Sequence, residues 1–121
     1  MKVNFFIGYD PKEDIAYRVC KYSLLKRSSN NVNVMSLKLD ELVAKKLYTR
    51  PIDPLASTQF TYTRFLVPLL NNYQGWAVFC DCDFIFLGDV SNLLNNLDET
   101  KAAYCVQHDY TPKEKHKMDG Q

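Results

Sequence analysis

Apolar residues come in short runs separated by polar, breaker-rich stretches, and the period switches between that of a buried strand and that of a helix. Val3–Gly8 is apolar and aromatic, which predicts a buried first strand with a sharp turn at Gly8. A helix follows. Asp10 suits its N-cap, Pro11 its first position, and Glu13 the reciprocal place in a capping box. Ile15, Ala16, Val19, Cys20, Ser23 and Leu24 recur at helical spacing and predict one face packed on a sheet, with residues 28–31 ending the helix. Val32, Val34 and Leu37 predict a second strand, after which Asp40 is expected to cap a short helix reaching Leu47. Residues 50–57, with Pro51 and Pro54, read as a loop. Residues 59–70 are helix-like, and Pro68 is expected to kink them near Arg64.

After Gly75, residues 76–80 form a continuous apolar run of the kind found in strands covered on both faces. Asp81-Cys82-Asp83 follows directly. Residues 84–87 resume the apolar character, Gly88 turns the chain, and Asp89 or Ser91 is expected to cap a helix through Leu97. Residues 102–107 are a further strand candidate. Strands alternating with helices predict an α/β fold with a mostly parallel sheet and helices on both faces. No internal repeat or low-complexity tract interrupts residues 1–108, whereas residues 109–121 read as a polar tail. That tail stops at Gly120-Gln121 without a capping signal, so the natural domain is expected to continue, with the C-terminal portion truncated.

Composition narrows the function. A chain of 121 residues with 46% apolar content can bury roughly two thirds of its unfolded surface in one core. Fifteen Lys and Arg against 14 Asp and Glu leave a net charge of +1 and no basic block, which argues against nucleic-acid binding through phosphate neutralisation. Cys20, Cys80, Cys82 and Cys105 match neither a zinc pattern nor a secreted disulfide framework, and are expected to be reduced and buried. No apolar run approaches the roughly 18 residues of a membrane span, and the N-terminus meets Asp10 too early for a signal peptide. The cytoplasm is the expected compartment.

The chemistry concentrates at Asp81 and Asp83. In open parallel sheets ligands bind beyond the carboxyl ends of the strands, where this pair sits. In extended chain, residues two apart project to one side, so both carboxylates could reach one Mg²⁺ or Mn²⁺ while Cys82 turns into packing. The alternative is that both aspartates end a strand and face water; the apolar flanks weigh against it. Only four glycines are present, and neither dinucleotide nor P-loop glycine motifs can be written. A bound diphosphate would therefore need a metal and scattered cations.

Residues 60–94, FTYTRFLVPLLNNYQGWAVFCDCDFIFLGDVSNLL, resemble the central segment of nucleotide-sugar glycosyltransferases of the GT-A fold, nearest to the family 8 type. Residues 3–14, VNFFIGYDPKED, resemble the first nucleotide-binding strand and turn of the same enzymes. The resemblance implies a Rossmann-like sheet that binds a UDP-sugar and transfers the sugar to an acceptor. It implies Mn²⁺ or Mg²⁺ on Asp81 and Asp83, with Asp81 also near the ribose and Cys82 in the same binding segment. Ile7, Gly8, Tyr9 and Asp10 would surround base and ribose. Arg64 would touch the donor or orient an aspartate, although a structural ion pair serves its chemistry equally well. For Tyr9 the competing reading is packing on the first helix. The family usually takes a histidine ligand and acceptor walls from beyond this region; His108 and His116 do not match that motif, so the chain resembles a donor-binding half.

Two other classes fit the residues. A phosphatase of the haloacid dehalogenase type also places D-x-D after an apolar strand, with the first aspartate attacking phosphorus. That family usually follows the motif with a small residue and Thr or Val, whereas Phe84 and Ile85 stand here. A truncated, non-catalytic nucleotide-binding domain is the other, and its exposed apolar surface would promote self-association.

Overall fold

The computed structural model describes residues 3–29 and 32–113. The end of the expected first helix at residues 30–31, and His116 with the rest of residues 114–121, lie outside the described residues. Strands β1 (Val3–Gly8), β2 (Val32–Leu37) and β3 (Ala77–Cys80) form a parallel sheet in the order β2-β1-β3. The fold is thus α/β with a small parallel sheet, flanked by helices on both faces as the alternation predicts.

Side-chain alternation along β1 explains the two layers. Phe5 and Ile7 point toward helix α1 (Asp14–Arg27), where they pack with Leu24 and Cys20. Phe6 points the other way and packs with Leu37 and with Val67 of the short helix α3 (Val67–Leu70). All three β1 residues are essentially excluded from solvent. Asn4, on the Phe6 face, links Asn33 of β2 to Asn71 after α3.

The expected helix 59–70 is not continuous. Residues 59–62 are turns, Thr63–Leu66 is a 3₁₀ segment, and α3 begins at Val67. Pro68 therefore sits in the first turn of a new helix, where its missing N–H costs nothing, instead of kinking a long one at Arg64. Helix α2 spans Leu39–Ala44, not 40–47, with Lys38 in the N-cap conformation. It ends in a Schellman arrangement: the Leu47 amide reaches the Leu42 carbonyl, the Lys46 amide reaches Val43, and Lys46 takes φ 60°.

Two apolar segments, one of them the strand candidate at 102–107, stay out of the sheet. Residues 84–87 form no strand, because the Phe86 amide donates to Ser23 Oγ at 2.9 Å and its ring packs edge-on against Phe5. Phe84, Ile85 and Leu87 are exposed. Residues 102–107 are exposed and irregular, and Tyr104 is held by contact with Trp76 and by the Asp98 amide. Strand β3 is consequently an edge strand among the described residues, with three of its four residues only partly buried. Cys105 is exposed, whereas the other three cysteines are buried and all four are free. On α1 the buried positions are Cys20, Ser23 and Leu24; Ile15 and Val19 face solvent.

Helix α4 (Ser91–Leu94) is shorter than the expected run to Leu97. Asp89 opens it, accepting from the Ser91 amide at 3.0 Å. Hydrogen bonds from Ser29 and then Ser91 hold the Asp89 carboxyl down at about 2. A carboxyl lowered on folding stabilises above its unfolded pKa of about 3.9 and loses that contribution as pH falls toward 2. Asp89→Asn should flatten the stability profile between about pH 4 and 2 relative to the parent, measured by urea titration across that range.

Among the described glycines, Gly8 is the one with a side chain packed against its backbone. A Cβ there would lie 2.5 Å from Phe60 Cγ and 3.1 Å from Phe60 Cβ. Gly8→Ala is therefore expected to cost about 1–3 kcal/mol through overpacking, read as a lowered urea midpoint; an unchanged midpoint would refute the contact.

Candidate functional site

Ile7 pairs with both Ser36 and Cys80, so the three parallel strands release their carboxyl ends along one edge. Gly8 to Asp10 leave β1 there, Lys38 and Leu39 leave β2, and Asp81 leaves β3. The two ends of this edge are chemically unlike.

At the β1–β2 end, Asp10 is 5% exposed and caps the 3₁₀ turn Pro11–Glu13 by accepting from the Lys12 amide at 3.0 Å. Its other oxygen accepts from the Gln59 amide at 3.1 Å, tying this turn to the distant loop. Glu13 does not close a capping box: its carboxylate accepts from Cys82 Sγ at 3.2 Å. The Tyr9 hydroxyl donates to Asp14 at 2.7 Å, its ring stands edge-on to Tyr17, and Lys38 lies over it. Tyr9 thus packs on the first helix, and its hydroxyl is held above its usual pKa chiefly by the bond to Asp14. Ile7 is fully buried, so its side chain belongs to the core.

A cleft of about 130 Å³ opens beside this turn, lined by Asp10, Lys12, Tyr48, Ile52, Gln59 and Tyr62 among others. Tyr62 is braced from behind by its hydroxyl bond to Asp53 at 3.0 Å and by Arg50, whose guanidinium carbon stands 3.8 Å from the ring centre. The Asp53 carboxyl is lowered by the Leu55 amide first and by Tyr62 second. Sequence reasoning missed Lys12, Tyr48 and Gln59. The available signal was the breaker-rich loop at 50–57, whose two flanks must come back to the sheet edge.

At the β3 end, Asp81 Oδ1 lies 3.4 Å from Arg64 Nη2, with the two side chains 42% and 36% exposed. Arg64 is itself oriented by donating Nε–H to the Phe60 carbonyl and by lying over the Phe79 ring. This contact is one that both the aspartate-orienting reading and the structural ion-pair reading of Arg64 describe. Cys82 is 1% exposed and turned into packing; burial first, then the Glu13 contact and nearby Asp83, push its thiol up to about 12. Asp83 is exposed. Strand geometry ends at Cys80 and residues 82–83 form a turn, so the expected extended i, i+2 projection of the two aspartates does not apply. His108 is exposed. Among the described residues, no three His, Cys, Asp or Glu side chains converge as metal ligands.

Protein CDI of Arabidopsis thaliana is 52% identical over 117 residues, which cover 97% of this chain and 45% of that relative. The chain therefore spans less than half the length of the curated relative it matches. No family profile and no solved structure matches it. Among the described residues, no helix is long and apolar enough to cross a membrane.

The two aspartates separate by experiment. Asp10→Ala leaves two amide donors without their acceptor and should cost about 1–3 kcal/mol of stability. Asp81→Ala removes only a half-exposed pair and should cost under about 1 kcal/mol. Urea unfolding of both variants checks the ordering; equal losses would contradict it.

Proposed function

We propose that this chain is the donor-binding part of a metal-dependent glycosyltransferase of the GT-A type, which takes a sugar from a UDP-sugar and passes it to an acceptor. One observation carries the reading: a half-exposed aspartate, held by an arginine, leaves β3 on the same sheet edge where the β1 turn borders a cleft. Ligands of open parallel sheets lie along that edge. The order of motifs in residues 3–14 and 60–94 supports the same reading.

The cleft suits one end of such a donor. Tyr48, Tyr62 and Ile52 offer aromatic and apolar walls, with Gln59 as a neutral hydrogen-bonding group. Its volume is below the roughly 300–1,000 Å³ of sites that enclose a drug-sized ligand. It takes the base or ribose, and the rest of the donor runs along the open edge toward Asp81. With no glycine-rich cradle, the diphosphate charge falls to Lys12, Arg64 and a divalent cation.

The donor set at Asp81 and Asp83 fits a hard cation that completes its shell with water and phosphate oxygens: both are carboxylates, one exposed and one half-exposed. Mn²⁺ or Mg²⁺ bound there supplies neutralisation of the departing diphosphate. Arg64 fixes Asp81 in place through one oxygen, and Asp10 keeps the cleft wall at the sheet edge. The buried free thiols Cys20, Cys80 and Cys82 suit a reducing compartment, and we assign the domain to the cytoplasm.

Calorimetry with UDP tests the site. Binding is expected in the presence of Mn²⁺ and is expected to weaken at least about tenfold, roughly 1.4 kcal/mol, in Asp81→Ala and Asp83→Ala. Unchanged affinity in both variants would overturn the assignment.

A further inference from the structure

Three of the four cysteines meet in one core cluster, and the proposed donor site uses none of their thiols. Cys20, in the middle of α1, and Cys80, the last residue of β3, are 60 positions apart in sequence, yet their sulfurs are in contact at 4.0 Å. Cys82 belongs to the same cluster, but its thiol is directed to Glu13. From this geometry we infer that Cys20 and Cys80 are a reversible dithiol–disulfide pair, oxidised by hydrogen peroxide, that clamps α1 to the strand ending at Asp81.

Proximity is the first support. Closing the contact to a disulfide of about 2.05 Å requires the sulfurs to approach by about 2 Å, with no atom displaced from between them. Isolation is the second. Cys82 in the same cluster is turned to Glu13, so Cys20 and Cys80 each have the other as sulfur neighbour. Burial sets the reagent. Cys20 is fully buried and Cys80 5% exposed, so the reagent to use is a water-sized oxidant and not a bulky disulfide.

The electron count closes. One thiolate of the pair attacks one peroxide oxygen, the O–O bond breaks, and the leaving hydroxide takes up the proton that this thiol lost, giving water and a sulfenic acid. The other sulfur then attacks the sulfenic sulfur, the S–S bond forms and the S–O bond breaks. The departing hydroxide takes the second thiol's proton as a second water. Two thiols lose two electrons and one peroxide gains them. Because Cys80 immediately precedes Asp81, movement at the clamp is passed to the Asp81–Arg64 pair.

The test is chemical and independent of any donor. The full chain is treated with hydrogen peroxide, unfolded, alkylated, digested with trypsin and analysed by mass spectrometry. The expected product is a cross-link between the peptide holding Cys20 and that holding Cys80, lighter by two hydrogens and reversed by dithiothreitol. Cys80 and Cys82 share one tryptic peptide, so the assignment is made in Cys82→Ser and by fragmentation of the parent cross-link. The link should survive Cys82→Ser and Cys105→Ser, vanish in Cys20→Ser and Cys80→Ser, and raise the melting temperature of the oxidised parent above that of the reduced one. Full alkylation of both residues, conversion of Cys20 to sulfinic acid, or cross-linking through Cys82 or Cys105 instead would overturn the proposal. UDP binding by the reduced protein is untouched by any of these outcomes, so this result and the donor-site test fail separately.

Discussion

The parallel pairing of β1 with both neighbours is the constraint from which the site follows. A parallel ladder carries the chain ends of all its strands to one side, and the sequence puts Tyr9 and Asp10, Lys38, and Asp81 just past those ends. Burial of Phe5, Phe6 and Ile7 on both faces keeps β1 central, and slippage by one residue would turn Phe6 into the α1 layer and Phe5 and Ile7 into the α3 layer. The edge geometry is therefore fixed by the core and not by the loops that decorate it.

Two aspartates at that edge show how environment divides one chemistry into two roles. Asp10 is buried and spends both oxygens on backbone amides from separate parts of the chain. It is a structural strut. Asp81 is half-exposed and meets one guanidinium through one oxygen, a weak, screened interaction that leaves the carboxylate able to exchange partners. Arg64, in turn, is positioned by a carbonyl and an aromatic face, so its own orientation does not depend on Asp81.

The regular part of this arrangement was legible in the sequence. Val3–Gly8 and Val32–Leu37 could be read because apolar and β-branched residues crowd between clear breakers. The Asp10-Pro11 helix start was legible for similar reasons, although Glu13 turned instead to Cys82, a partner 69 positions away. The end of α2 at Ala44 was hidden because a lysine, Lys46, fills the left-handed position after it where glycine is usual. Residues 84–87 and 102–107 carry strand-like composition without a strand partner among the described residues, and composition alone does not report pairing. For the candidate site, Asp81 and Arg64 were visible from local motif order. Tyr48 and Gln59 were not, since their position depends on a loop returning from afar to meet Asp10.

The open flank of β3 has a topological consequence. Its outer row of amides and carbonyls faces no strand among the described residues, which makes it a template for continued pairing. A strand that joined in parallel would end beside Asp81 and deliver whatever follows it to the same lip. Growth of the sheet in that direction would lengthen the carboxyl edge at its Asp81 end, away from the cleft beside Asp10.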